Sequence, residues 1–427
     1  MSRPTGDASV PGPREGTAGL VTRPRGTGAD RPERAVGSRF AQLEGYRGFA
    51  ALLVVVYHAY QHAEALGSGD VPAVGGAAYR LLHGLDAFVD LFFVLSAFLL
   101  ALPWVRAALA GGDSPSGKAF LVRRAARLLP LYVVAVAVVW ALRNPVLPGD
   151  LRDLAEHLTF VQVYDDRRIF WTIGPAWSLA VEVQFYVLLW LTGTGLCRLA
   201  ARVPASWRAA VLVVPAVAVA AASLAGKLVA WQVLDVRGDR WSVWFGLPAK
   251  LDVFALGFLL AVVVATGRVR LSRAGAVSLA LAGWGVVVAT LLLRPGGNGE
   301  HAWFHTAAAV GFTLVLAGSV LAPAHEAAPS RWAPLSGPAP AFLATVSYSV
   351  YLWHEPLLLA LVAHRLVPDA AGAHGFAWTT AVLVPVSVLA GWVSWLMIEK
   401  PTASLRTLVD SRGRSRQYYA EVTRSGR

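Results

Sequence analysis

Residues 85–105 read LDAFVDLFFVLSAFLLALPWV, an apolar run in which Asp86 and Asp90 are the only charged residues. A helix needs roughly 20 mainly apolar residues to cross the ~30 Å hydrocarbon core of a bilayer. The run therefore predicts a membrane-spanning helix. The rest of the chain has the same character, because 56% of its 427 residues are hydrophobic and only 15% are charged, against about 25% in an average soluble domain.

Ten stretches of the sequence are candidates for such spanning segments, of which the first and third are short. The sequence therefore predicts an all-α fold, a polytopic membrane protein with about ten transmembrane helices. Their approximate bounds are 46–66, 85–105, 128–143, 176–197, 210–231, 247–266, 274–293, 304–322, 342–363 and 376–397.

The distribution of basic residues predicts the orientation of these helices in the cell membrane. With the N-terminus in the cytoplasm, most of the 38 Lys and Arg residues fall in cytoplasmic segments, as the positive-inside rule requires. Both termini are then expected in the cytoplasm. Residues 1–45 are expected to form a disordered cytoplasmic tail, residues 46–399 the transmembrane domain that carries the function, and residues 400–427 a basic cytoplasmic tail.

Composition also excludes several classes of protein. The net charge is +12, but the basic residues form short clusters between apolar segments and leave no basic face for nucleic acid. The only cysteine, Cys197, rules out an internal disulfide. The histidines do not show the spacing of zinc ligands, and no hydrolase elbow or phosphate-binding loop is present, so no metal is predicted.

The first span contains Arg47 and His58, eleven residues apart. At 100° per residue both side chains project from one helix face, separated by roughly 16 Å along the axis. Ionisable groups inside a span are costly and are functional candidates. The layout suits an arginine that binds a phosphate-bearing ligand and a histidine that acts as a base. The alternative is a packing histidine together with an arginine that only anchors the helix at the interface.

Other spans also carry polar residues, each with a functional and a structural interpretation. Asp90 requires a partner from another helix, so a structural ion pair is the stronger interpretation, and Ser96 is expected to bond its own helix. Arg124 and Arg127 belong to a basic cluster that either sets topology or grips a diphosphate. The remaining candidates are Glu182, which is either a partner that orients His58 or a salt-bridge residue, and Tyr351 and His354, one turn apart beside Glu355.

Six segments of the sequence, taken in their order along the chain, resemble the acyltransferase-3 family of integral membrane O-acyltransferases. Two departures are visible: Ala97 stands where the family usually has glycine, and Val183 where a second glutamate is common. The resemblance covers residues 43 to 401, and the segments that carry it are LEGYRGFAALLVVVYHA, VDLFFVLSAFLL, FLVRRAARLLPLY, GPAWSLAVEVQFY, YSVYLWHEP and IEKP.

The resemblance implies transfer of an acyl group, typically acetyl, from acyl-CoA to a hydroxyl of a carbohydrate, glycolipid or small-molecule acceptor. Acyl-CoA would be a donor substrate, with no permanently bound cofactor, and the bilayer would be the protein's other partner. His58 and Glu182 fall on catalytic positions. The residues expected to bind the donor or acceptor are Arg47, Arg124, Arg127, Asp90 and Ser96, together with Tyr351 and His354 from the polar cluster of the ninth span.

The sequence leaves open two routes of acyl transfer and two functions other than acyl transfer. His58 either accepts the proton of the acceptor hydroxyl in a direct transfer or carries the acyl group transiently. A multi-span transporter of a small solute or sugar would also have intramembrane charges, although the repeat symmetry of such folds is not evident. An enzymatically silent scaffold would tolerate exchange of Arg47 and His58.

Overall fold

The computed structural model describes residues 30–65, 76–294, 300–322, 335, 337–367 and 372–403, with side chains from residue 42 in the first range and from 301 in the third. Within these ranges the chain is helical and contains no strand. The protein is therefore all-α, as predicted. The predicted C-terminal tail, apart from residues 400–403, and residues 1–29 of the predicted N-terminal tail lie outside the described residues.

Ten long helices and three short ones make up the described fold. The long helices are α1 (Asp30–Ala65), α3 (Phe88–Ala110), α4 (Gly117–Arg143), α6 (Ala176–Ala200), α7 (Arg208–Gln232), α9 (Leu247–Thr266), α10 (Arg273–Leu292), α11 (His305–Leu321), α12 (Pro338–Ala363) and α13 (Gly372–Ser394). The short helices are α2 (Ala77–His83), α5 (Leu151–Leu158) and α8 (Trp241–Phe245).

Nine of the described helical segments are long and apolar enough to cross a membrane, and they coincide with the predicted spans from the second to the tenth. The protein is therefore a multi-pass membrane protein. The predicted first span is also a helix, α1, but it is not among the nine. Its second half carries His58, Gln61, His62 and Glu64, which lower its hydropathy. α1 packs mainly against α12 and α13, and His58, His62 and Glu64 are partly buried whereas Gln61 is exposed.

Two helices begin earlier than predicted. α1 begins at Asp30 rather than near residue 46, so the last part of the segment predicted to be a disordered tail is helical. α4 begins at Gly117 rather than near residue 128, with the side chain of Ser116 capping the N–H of Ala119. The hydropathy pattern marks only the part of a helix that lies in hydrocarbon. The basic cluster is therefore part of α4, not of the loop before it.

α3 lies at the centre of the bundle, in contact with α1, α6, α9 and α11. It approaches α9 closely at Gly257, where a Cβ atom would lie 2.2 Å from the carbonyl oxygen of Val94 and 2.8 Å from Cβ of Ala97. Small residues at a helix interface allow such close packing in membranes. The glycine that the sequence lacks at Ala97 is thus matched by a glycine on the partner helix.

The segment between α4 and α6 folds back on the bundle. Tyr132 of α4 donates a hydrogen bond of 2.8 Å to the carbonyl oxygen of His157 in α5. The hydroxyl of Thr172 donates to the buried carboxylate of Asp153. These bonds hold residues 172–178 against α12, where the N–H of Gly174 donates to Glu355 at 2.6 Å. The segment thus forms a fixed wall beside α12.

Candidate active site

A partly open cavity of about 170 Å³ lies among five helices, α1, α3, α4, α6 and α12. Its lining combines charged with apolar residues. The charged and polar lining residues include Glu44, Arg47, Arg124, Arg127, Glu182 and Tyr186, and the apolar ones include Val89, Phe92, Phe93 and Leu179. The cavity therefore suits a ligand with an anionic end and an apolar arm.

Three arginines meet at one end of this cavity, which we call the arginine end. Arg47 comes from α1, and Arg124 and Arg127 lie one turn apart on α4. Within the described part of the chain none of the three has a salt bridge to a carboxylate, and Nε of Arg124 is buried without a hydrogen-bond partner. Guanidinium groups in this state are ready to bind a phosphate in bidentate fashion.

Glu182 lies at the arginine end and not beside His58. Its carboxylate accepts a hydrogen bond from the hydroxyl of Ser96, which joins α6 to α3. Ser96 therefore bonds another helix rather than its own. The hydrogen bonds of His58 go to Val54 and His354 instead. The expectation that Glu182 orients His58 is thus not supported by the geometry, since Glu182 instead adds a negative charge among the arginines.

Tyr351 of α12 also lines the cavity. Its hydroxyl lies 2.7 Å from the hydroxyl of Ser178 and donates to the carbonyl oxygen of Pro175 at 3.3 Å. Its ring meets the ring of Phe92 edge to face at 5.7 Å. The wall segment before α6 therefore fixes the position of Tyr351 in the cavity lining.

His58 and His354 lie beyond Tyr351, with their ring centroids 4.7 Å apart. Helices α1 and α12 run parallel here, because Gly48 meets Leu343 and Ala344 while His58 meets His354. A Cβ atom at Gly48 would lie 2.8 Å from the backbone nitrogen of Ala344, so glycine permits this close approach. The histidine pair, which we call the histidine end, is thus placed about 16 Å from Arg47 along α1.

Asp90 belongs to a separate polar cluster. Its carboxylate accepts from Nδ1 of His305 on α11 at 2.7 Å, and the carboxylate is almost fully buried. Asp90 does not line the cavity, so the structural interpretation of this residue fits the geometry and a role in donor binding does not. The predicted need for a partner from another helix is met by His305.

Sequence reasoning missed several buried charges near Asp90. Lys227 of α7 lies 2.7 Å from Asp252 of α9 and 2.8 Å from the hydroxyl of Thr306 on α11. Lys250 is buried between aromatic rings, 5.2 Å from that of Phe245. Each lysine interrupts a long apolar run in the sequence, and that interruption is the signal that would have identified it.

Comparison with known proteins gives the family. The family model described as "Acyltransferase domain" matches residues 40–396, which is most of the chain. The chain belongs to the acyltransferase-3 family. This membership supports an O-acyltransferase enzyme embedded in a membrane, rather than a transporter. No solved structure matches the chain.

Three named relatives are similar to this chain over most of its length. The protein is 26% identical to "Putative membrane-bound transacylase BcsY" of Komagataeibacter xylinus, over 85% of this chain and 83% of that relative. It is 26% identical to "Nodulation protein 10" of Rhizobium leguminosarum bv. viciae, over 86% and 94%. It is 24% identical to "Putative O-acetyltransferase SACOL0978" of Staphylococcus aureus, over 73% of this chain and 49% of that longer relative. The chain thus spans about half the length of the staphylococcal relatives.

Proposed function

We propose that this acyltransferase moves an acyl group, typically acetyl, from acyl-CoA to a hydroxyl of a carbohydrate or glycosylated acceptor. The observation that carries the proposal is the cavity with three arginines at one end and the histidine pair beyond its other end. The relatives named as a transacylase and an O-acetyltransferase support acyl transfer to oxygen.

The arginine end would bind the phosphates of CoA. Three guanidinium groups that lack a carboxylate partner repel one another, so an anionic ligand relieves their repulsion as well as forming hydrogen bonds. A charge-assisted hydrogen bond contributes about 1.5–3 kcal/mol. Glu182 limits the excess of positive charge and, through Ser96, fixes α6 against α3. Its proposed role is therefore electrostatic and positional rather than chemical.

The distance between the two ends supports the proposal. The pantetheine arm of CoA would extend through the apolar part of the cavity and present the thioester towards His58. The separation of about 16 Å between Arg47 and His58 on α1 is of the order that this arm must bridge. Binding energy from the phosphates would thereby position a reacting group far from them.

At the histidine end His58 would act as the general base. As the acceptor oxygen attacks the thioester carbonyl, its proton passes to His58, the carbon–sulfur bond breaks, and the leaving thiolate takes a proton from the imidazolium. Atoms and charges balance without a bound cofactor. The arginine end is proposed to face the cytoplasm, which holds acyl-CoA, and both termini are proposed to lie on that side, as the positive-inside rule predicts.

Release of CoA thiol by the detergent-purified protein tests the proposal. We expect the wild type to release CoA from acetyl-CoA in the presence of glycan acceptors, and His58→Ala to lower the rate by about 10²–10⁴-fold, the range for loss of a general base. His364→Ala, at an exposed histidine after α12, is the matched control and should behave as wild type. Equal release by wild type and His58→Ala would contradict the proposal.

A further inference from the structure

The two imidazoles at the histidine end are in direct contact through their nitrogens. Nε2 of His354 lies 3.2 Å from Nδ1 of His58. His354 is completely buried, whereas His58 is partly exposed. Each Nδ1 also lies close to a backbone carbonyl oxygen of its own helix, at 2.9 Å from Val54 for His58 and at 2.7 Å from Tyr351 for His354.

These contacts define the tautomer of His354. A carbonyl oxygen only accepts hydrogen bonds, so Nδ1 of His354 must carry the proton that faces Tyr351. A neutral imidazole with its proton on Nδ1 has an unprotonated Nε2. Because His354 has no access to water and faces a second imidazole, a positive charge on it is unfavourable. Nε2 of His354 is therefore a hydrogen-bond acceptor.

The tautomer of His58 follows from this result. Its Nδ1 faces two acceptors, the carbonyl oxygen of Val54 and Nε2 of His354. An unprotonated Nδ1 would place three lone pairs together, so the proton of His58 lies on Nδ1 and is shared between the two acceptors. The lone pair of His58 is then on Nε2. Of the four ring nitrogens of His58 and His354, this is the one that has no hydrogen-bond partner among the described residues.

We propose that His354 is a positioning residue that fixes His58 in the tautomer able to accept a proton at Nε2. This inference rests on the proposed acyl transfer. During transfer the acceptor hydroxyl would lose its proton to Nε2 of His58 while His354 accepts the Nδ1–H bond throughout. This is the role that a carboxylate has in a serine hydrolase triad, performed here by a neutral group.

A neutral partner suits this position in the bundle. A fully buried carboxylate would be expensive unless it were paired, and Glu182, the carboxylate expected beside His58, lies at the arginine end instead. A neutral imidazole still orients His58 and stabilises the imidazolium that forms on it, because it accepts the Nδ1–H bond in both charge states. Tyr351 holds His354 in turn through its backbone carbonyl.

Two substitutions of His354 separate positioning from packing. His354→Asn keeps a donor near the carbonyl of Tyr351 but has no acceptor where Nε2 lies, whereas His354→Gln places an amide oxygen there. We expect His354→Asn to lower kcat by at least about tenfold, and by no more than the 10²–10⁴-fold that loss of the general base itself would cost. The KM for acetyl-CoA should stay within about twofold, because the arginine end is intact. His354→Gln should recover most of kcat, and His364→Asn should change neither constant.

Several outcomes would overturn the inference. One is that His354→Asn has the kcat of the wild type. Another is that His354→Gln is as inactive as His354→Asn although both variants melt at the wild-type temperature. If the wild type itself fails to release CoA, the proposed function fails, and the tautomer is then measured separately. ¹⁵N-histidine spectra of the full-length wild type, with the His58 signals identified by their loss in His58→Gln, should show the proton on Nδ1. A proton on Nε2 of neutral His58 would overturn the inference whether or not any variant folds.

Discussion

Replacement of Arg124 by alanine is expected to weaken CoA binding without lowering the stability of the empty protein. Nε of Arg124 is buried without a hydrogen-bond partner, and the side chain lies in the cavity with Arg47 and Arg127. In the empty protein the three guanidinium groups repel one another. Removal of one of them therefore costs no ion pair and relieves repulsion.

The magnitude follows from the contact that would be lost. A hydrogen bond to a charged group contributes about 1.5–3 kcal/mol, which corresponds to about a 10- to 150-fold increase in Kd at 1.4 kcal/mol per tenfold. The ligand stabilises the folded protein by RT ln(1 + [L]/Kd), about 2.7 kcal/mol at 100-fold saturation. About half to nearly all of that stabilisation should disappear in Arg124→Ala at the same CoA concentration.

Thermal melting in detergent with and without CoA measures both effects, and titration calorimetry gives Kd. Arg124→Lys should recover only part of the affinity, because an ammonium lacks the bidentate fork of a guanidinium. Arg106→Ala, at an exposed arginine on α3 outside the cavity, is the control for a simple loss of charge. A lower melting temperature of the empty Arg124→Ala protein together with unchanged CoA stabilisation would refute the reasoning.

Three further predictions concern stability. Gly257→Ala should lower the free energy of unfolding by about 1–3 kcal/mol through overpacking against α3, whereas Gly285→Ala, with nothing within 4 Å of the new methyl group, should not lower it in the same melting assay. Lys227→Met leaves the buried carboxylate of Asp252 unpaired and should cost about 3–5 kcal/mol, and Lys227→Met with Asp252→Leu should recover much of the loss; a double variant less stable than the single one would contradict this pairing. Asp150 lies outside the spans, and hydrogen bonds from the backbone N–H of Asp153 and from the side chain of Arg168 lower the pKa of its carboxyl group. Its contribution to the free energy of unfolding is therefore present above the ordinary pKa of 3.8 and is lost as the pH falls through the folded pKa. The difference in melting temperature between wild type and Asp150→Asn should therefore shrink on acidification, and a constant difference would exclude this origin.

The helices could be predicted from the sequence because a spanning segment is a local property. Apolar runs such as 85–105 identify themselves by length alone. The starts of α1 and α4 could not be located in this way, because both helices extend beyond the hydrocarbon region into polar sequence that carries no hydropathy signal.

The partners of the candidate residues could not be predicted, because they depend on which helices touch. His58 and His354 are 296 positions apart in the chain, and no spacing rule relates them. Glu182 was a reasonable partner for His58 by residue type alone. The packing of α3 against α6 brings it to Ser96 instead, which is a property of the bundle and not of either segment.

The most direct test of the central claim follows the acyl group itself. Membranes that contain the wild-type protein, His58→Ala or His364→Ala are supplied with acetyl-CoA labelled in the acetyl group, and label in base-labile esters of glycans and glycolipids is counted. The account predicts ester label with wild type and His364→Ala, and a loss of about 10²–10⁴-fold in its initial rate of formation with His58→Ala. Equal ester labelling by wild type and His58→Ala would contradict it.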